Sequence, residues 1–212
     1  GLYGLKFLPI DCNTPENKLN ELIKKLKIKK LFIDKNNKLS KKNLNFPIEC
    51  NSEFTWLSSF KSNKIKLKNN GKLILFTSGT TGNNKLIQID FKKLIESSIY
   101  FVKFYKLKSQ TFLNIFQTSY LGGIFNSFLI PIMGSSNIIF FNFFSSFDIF
   151  NFWKHIKNYN ITAIWFTPPL IKSLIELNKN QSIEKFKCKL NYAFCGTAYL
   201  DKKIKRNFNK SF

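Results

Sequence analysis

Arginine is nearly missing from this sequence: Arg206 is the only one, although the 212 residues hold 34 basic and 12 acidic side chains and a formal net charge of +22. Such an excess would suit a phosphate backbone, because neutralised phosphates release counterions. Reading base edges, however, favours the flat guanidinium fork, and here the cations are lysines. Lysine is accompanied by abundant Asn, Ile and Phe, a set with A/T-rich codons, so a solvated lysine surface accounts for the charge without a nucleic-acid partner. Trp56, Tyr100 and Phe101 could stack on bases. Aromatics at core spacing more commonly build cores, and no nucleic-acid motif is present, so a basic nucleic-acid-binding protein is only the alternative from another class.

Histidine is limited to His155, and the four cysteines, Cys12, Cys50, Cys188 and Cys195, show no Cys-x-x-Cys spacing. That pattern indicates neither a zinc site nor a disulfide framework, and no metal ligand is assigned. Free thiols suit a reducing cytoplasm. His155 sits in a Phe- and Lys-rich amphipathic stretch and reads as a surface or packing residue. Long uninterrupted apolar runs are also lacking. The stretch 120–141 is broken by Gly122, Gly123, Asn126, Pro131 and Gly134 and makes a poor membrane span, and no signal peptide is visible. The opening Gly1-Leu-Tyr-Gly-Leu-Lys-Phe7 reads like the inside of a domain, so the chain is expected to start mid-fold.

What is present is globular. A hydrophobic share of 44% with 17% aromatic residues can bury a core, and the chain has neither an internal repeat nor a Pro- or Ser-rich linker, so one domain or part of one is expected. Thr14-Pro15-Glu16 reads as a helix start capped by the threonine hydroxyl, with Leu19, Leu22, Ile23 and Leu26 as an apolar stripe behind it. A short strand should cover 30–34, and the lysine- and asparagine-rich stretches 34–45 and 61–71 read as loops. From Lys72 the pattern alternates. Residues 73–76 read as a buried strand, a polar loop follows, and Asp90 caps a helix reaching Tyr105. Strands are expected at 111–117, 137–141, 161–166 and 190–195. Helices are expected at 121–133 and 147–159, with another opening at Pro168-Pro169. Strands alternating with helices imply crossover units, hence an α/β fold with a layered, mostly parallel sheet flanked by helices. Ligands in such folds gather at the carboxyl ends of strands.

One loop in that position carries chemistry: Thr77-Ser78-Gly79-Thr80-Thr81-Gly82-Asn83-Asn84-Lys85. Gly79 and Gly82 permit backbone conformations and close approaches denied to other residues. Successive amides can then form an anion nest. The hydroxyls of Ser78, Thr80 and Thr81 can donate to phosphate oxygens, and Lys85 adds a compact cation. A Walker A loop would need glycine just before the lysine, where Asn84 stands, so a P-loop NTPase is disfavoured.

In this loop the sequence resembles the adenylate-forming superfamily of acyl-CoA synthetases, luciferase-like enzymes and peptide-synthetase adenylation domains, which usually write it Thr-Ser-Gly-Thr-Thr-Gly-x-Pro-Lys-Gly. Thr77 to Gly82 and Lys85 match, whereas Asn84 and Leu86 depart from the usual proline and glycine. The resemblance covers essentially the whole chain. Gly4 to Asp11 is similar to the family's upstream Val-Pro-Leu-Asp-like strand. Phe116-Gln-Thr-Ser119-Tyr120-Leu-Gly122-Gly123 resembles its Pro-Leu-x-His-x-x-Gly segment beside the acid pocket, with Ser119 or Tyr120 in place of histidine. Ile161 to Leu170 resembles a scaffold strand and helix opening. Tyr192-Ala-Phe-Cys-Gly196-Thr197-Ala198 resembles the loop whose backbone lies against adenine.

The resemblance implies that residues 1–212 are part of the large N-terminal domain of a carboxylic acid-activating ligase. Its substrates would be ATP, used with Mg2+, and a carboxylic acid; its acceptor would be CoA or an acyl or peptidyl carrier protein. The family's magnesium-holding glutamate, its ribose-binding aspartate and its lysine-bearing small domain come after the segments matched, so this stretch alone is expected to be inactive. A non-catalytic nucleotide-binding homologue is the alternative that Asn84 and Leu86 suggest.

Overall fold

The computed structural model describes residues 6–11, 13–28, 31–33, 48–50, 71–77, 85–140, 146–180 and 190–211. Two compact units divide the chain, Ile10–Lys68 and a larger one made of Gly1–Pro9 with Asn69–Phe212. The chain opens with β1 (Lys6–Phe7), which belongs to the larger unit. The smaller unit holds α1 (Glu16–Leu26) and a parallel pair, β2 (Leu31–Ile33) beside β3 (Ile48–Cys50). Helix α1 buries Leu19 and Leu22 and ends on Lys27 in the left-handed region at φ 48°.

Its start differs from the expectation. No side chain caps α1, and Pro15, at ψ 144°, occupies the boundary itself. Thr14 then stands one residue too early to reach the first-turn amides, and its own N–H donates to the Asp11 carbonyl at 2.9 Å. The expected loops at 34–45 and 61–71 lie, apart from Gly71, outside the described residues.

In the larger unit β4 (Lys72–Thr77) runs parallel to β1 and antiparallel to β5 (Lys85–Asp90). Leu73, Ile74 and Leu75 are all buried, as a strand covered on both faces must be. Strand β5 was not expected: residues 85–90 read as loop leading to a helix cap. With Ile87 and Gln88 exposed it has no buried-strand pattern to read, and it makes this sheet mixed rather than parallel.

The second sheet is parallel throughout, in the order β7-β6-β8-β9, with β6 at Thr111–Asn114, β7 at Asn137–Phe140, β8 at Ala163–Phe166 and β9 at Tyr192–Cys195. Strand β6 stops three residues short of the expected end because the Oδ1 of buried Asn114 accepts from the Phe116 amide at 2.9 Å and turns the chain.

Helices cover both faces. On one, Leu113, Ile164 and Phe166 pack against α5 (Phe152–Asn158) and α6 (Pro168–Asn180), with Ile204 and Phe208 of α7 (Lys202–Ser211) at the margin. Phe152 and Phe166 are 0% and 1% exposed, each contributing about 1.5–3 kcal/mol by burial. On the other face Phe112 and Ala163 meet Val102 of α2 (Phe91–Tyr105) and Ile130 of α3 (Ile130–Met133). Leu94 of α2 reaches instead to Leu73 and Leu75 of β4, so α2 serves both sheets. The expected helix 147–159 is two pieces, α4 (Ser146–Phe150) and α5, separated at Asn151, whose Nδ2 donates to the Phe147 carbonyl at 3.1 Å.

Candidate functional site

Strand β4 carries the polar loop at its carboxyl end. Thr77 is its last residue and Lys85 the first of β5, and the two are paired across the antiparallel ladder. The paired strand ends Thr77 and Lys85 thus bracket the sequence segment 78–84. Ser78, Gly79, Thr80, Thr81 and Gly82 lie outside the described residues. Leu86, where the family has glycine, pairs with Phe76 and is half-buried, so a regular strand position takes this side chain.

At its far end β5 hands over to α2 through Asp90. One carboxylate oxygen accepts from the Lys92 amide at 3.0 Å, as the sequence suggested, and the other takes the Lys72 ammonium at 3.1 Å. The Lys72 hydrogen bond, aided by the Lys92 amide, holds the Asp90 carboxyl below its ordinary pKa.

The acid-pocket candidates lie on a turn and the helix after it. Residues 121–133 are helical as expected, but Gly122–Leu129 winds as a π-helix before α3. Such wide turns occur often at functional sites. A Cβ on Gly123 would lie 2.1 Å from the Gln117 carbonyl oxygen and 2.9 Å from the Thr118 Cα, so glycine is required there; one on Gly122 would meet only the Phe116 ring at 3.6 Å. Ser119 Oγ is buried with no hydrogen-bond partner among the described residues. Tyr120 is 55% exposed. The two candidates for the histidine position therefore differ: one is an unmet buried hydroxyl, the other a ring in solvent.

The adenine-loop candidates follow β9. The Gly196 amide donates to the Phe166 carbonyl at 3.2 Å, tying the loop to β8. A Cβ on Gly196 would lie 3.8 Å from the Trp165 ring. Thr197 takes φ 72°, a region costly for a β-branched residue, and Ala198 is exposed beside it. Trp165 was missed in the sequence: its ring stacks on Phe194 at 4.7 Å and meets Phe101 of α2 at 5.4 Å. Its indole N–H is buried without an acceptor among the described residues. Neighbouring Cys195 is a free thiol, and burial pushes its pKa up.

Over residues 3–212 the chain is matched by the model of one family, described as AMP-binding enzyme. The chain belongs to that family. No curated protein matches its sequence. Solved structures share its fold. ATP-bound MatB from Rhodopseudomonas palustris matches with a TM-score of 0.74 at 16% identity, over 96% of this chain and 42% of its own. The luciferase-like enzyme from the mealworm Zophobas morio matches at 0.71 and 16% identity, over 98% and 51%. O-succinylbenzoate coenzyme A synthetase, MenE, from Bacillus subtilis in complex with AMP matches at 0.71 and 14%, over 99% and 53%. This AMP-binding chain thus spans about half the length of these structures.

His155, set aside in the sequence, is a packing residue with a partner: its Nε2 lies 3.3 Å from Asp148, which is buried, and its ring stacks on Tyr159. Among the described residues no three carboxylate, imidazole or thiol side chains converge as a metal site, and no helix is long and apolar enough to cross a membrane.

Proposed function

We propose that the protein is part of an acid-activating ligase. It uses ATP to convert a carboxylic acid into an acyl-adenylate, then passes the acyl group to the thiol of CoA or of a carrier protein in the cytoplasm. Residues 1–212 would belong to its large N-terminal domain. The observation that carries this reading is the pairing of Thr77 with Lys85 on either side of the glycine- and hydroxyl-rich sequence 78–84, in a chain of the AMP-binding family.

In the first step a carboxylate oxygen attacks the α-phosphorus and the bond to the β-phosphate's bridging oxygen breaks. Negative charge moves onto departing pyrophosphate. Lys85 and the hydroxyls of Thr77, Ser78, Thr80 and Thr81 would hold that charge, with Gly79 and Gly82 letting the backbone amides approach. Adenine would lie on Gly196, Thr197 and Ala198, while Ser119, Tyr120, Gly122 and Gly123 border the acid. In the second step the thiolate attacks the acyl carbonyl and AMP leaves. The Mg2+ that the resemblance implies has no convergent ligand set among the described residues, and no step is derived through it.

The test is ATP–pyrophosphate exchange by the complete protein with a panel of acids. Exchange supports the ligase; nucleotide binding without exchange for any acid would leave a non-catalytic homologue. Lys85→Ala should slow exchange by about 10²-fold, the scale for one lost electrostatic donor, while acid binding changes little. Unchanged exchange would remove Lys85 from the step.

A further inference from the structure

Most of the described non-glycine residues at positive φ have a local reason to be there. Lys27, Lys106, Ser135 and Asn160 each close a helix. After each, the next amide reaches five residues back: Ile28 to the Ile23 carbonyl at 3.1 Å, and Leu107 to Val102, Ser136 to Pro131 and Ile161 to Ile156, each at 2.9 Å. Thr197, at φ 72°, follows strand β9 instead, and among the described residues at positive φ it alone is β-branched. It makes no backbone bond of this kind among the described residues. A left-handed threonine is strained backbone, and such strain persists only where the surroundings over-determine it.

What holds Thr197 lies on one side of it. The Gly196 amide donates to the Phe166 carbonyl at 3.2 Å, and the Trp165 ring carbons Cζ3 and Cε3 stand 3.8 and 3.9 Å from where a Gly196 side chain would begin. The Trp165 ring is fixed in turn. It stacks on Phe194 at 4.7 Å, Phe194 stacks on Tyr192 at 5.9 Å, and Phe101 lies 5.4 Å from both Trp165 and Phe194. The Tyr192 hydroxyl donates to the Lys106 carbonyl at 3.4 Å, which anchors the column at the end of α2. Ring packing does the holding, since the indole N–H meets no acceptor among the described residues. On the other side, Ala198 and Tyr199 are exposed.

We propose that Trp165 is a positioning residue for the nucleotide: it holds the 196–198 backbone in the strained form that receives adenine, so the loop is set before the nucleotide arrives. This rests on the adenine assignment proposed above. A loop that keeps its shape without ligand loses little entropy on binding, whereas a released loop must be ordered each time.

Calorimetric titration of AMP into the complete protein, with melting temperatures measured alongside, tests this. Trp165→Leu removes the stack and should weaken AMP about tenfold, the scale of fixing one residue's backbone again. Trp165→Phe keeps a ring under Gly196 and should recover most of that loss. Thr197→Gly should move stability and affinity in opposite directions: the melting temperature rises as strain is relieved, and AMP binds about tenfold more weakly because the loop is no longer set. Trp165→Leu combined with Thr197→Gly should weaken AMP little beyond either alone, because both release the same backbone. Trp165→Leu that melts lower but binds AMP unchanged would overturn the proposal, since the ring would then be scaffold alone. So would Trp165→Phe as weak as Trp165→Leu, or a Thr197→Gly protein that melts lower or binds AMP as the wild type does. Fully additive losses in the double variant would overturn it too, because they would mean a direct contact by the Thr197 side chain. Wild-type protein that binds AMP while the variants show none of these effects sinks only this inference, whereas wild-type protein with neither AMP binding nor exchange sinks the ligase reading beneath it.

Discussion

At the scale of single residues, the two neighbouring glycines of the acid segment separate a requirement from a coincidence. Gly123 has the Gln117 carbonyl 2.1 Å from where a methyl would go, and that atom belongs to backbone that cannot swing aside as a side chain could. Gly123→Ala should therefore cost roughly 2–3 kcal/mol in denaturant unfolding. Gly122→Ala, at 3.6 Å from a ring, should stay within about 1 kcal/mol. Equal costs would mean that the 117–118 turn does not press on the helix. Asp90 gives a second residue-scale expectation. Its carboxyl pKa is lowered in the fold by the Lys72 and Lys92 hydrogen bonds. Its contribution is then fully present above the unfolded carboxylate pKa of about 3.9 and lost as pH falls through the lower folded value. Asp90→Asn keeps an acceptor for the Lys92 amide and loses this titration, so the stability difference between wild type and variant should shrink below about pH 4. A difference independent of pH would remove the ion pair from the account. The family was legible in the sequence because the order of glycines, hydroxyls and lysine at 77–85 is local. Trp165 was not, because its importance comes from Phe101 and Gly196, distant in sequence and brought together by strand pairing.

Among the elements, α1 and α2 end in the same way, on a lysine in the left-handed region: Lys27 at φ 48° and Lys106 at φ 53°. After α2 the Leu107 amide reaches back to Val102 at 2.9 Å and the Lys106 amide to Lys103 at 3.3 Å, with Leu107 fully buried. That is a glycine-type helix stop made without glycine. Lys106→Gly should raise stability by about 0.5–1 kcal/mol, read as a shift in denaturant midpoint at unchanged slope. A loss would show that the lysine side chain contributes more than the strained backbone costs. The helices and parallel strands from 91 onward were legible for the reason α/β proteins usually are: buried strands are short apolar runs and amphipathic helices repeat at their own period. Strand β5 was not, since an exposed edge with Ile87 and Gln88 in water reads as loop until its partner is seen. The threonine cap expected for α1 failed over one residue of phase, a margin that local pattern does not resolve.

For the whole molecule, the charge of +22 decides more about solution behaviour than about fold. The described ion pairs are sparse: Lys72–Asp90 at 3.1 Å, Lys92–Glu96 at 3.8 Å between two well-exposed side chains, and His155–Asp148 at 3.3 Å. Exposed pairs contribute little, whereas an excess of like charge opposes compaction at every separation within the screening length. Raising ionic strength from about 0.01 M to about 0.15 M shortens that length from about 30 Å to about 8 Å, which weakens long-range repulsion more than contact pairs. The melting temperature should therefore rise with sodium chloride over that interval. The same excess would draw the protein to any polyanion at low salt, without a site, and that binding should be gone at about 0.15 M. Under the proposed function ATP would be held by the amides and hydroxyls of residues 77–85 rather than by diffuse charge, and it should then keep most of its affinity across the same range. A melting temperature that falls with salt would mean that attractive pairs outweigh the repulsion. ATP affinity that collapses in step with polyanion binding would mean that the nucleotide reads only the lysine surface, and the hairpin would then lose its role as a phosphate site.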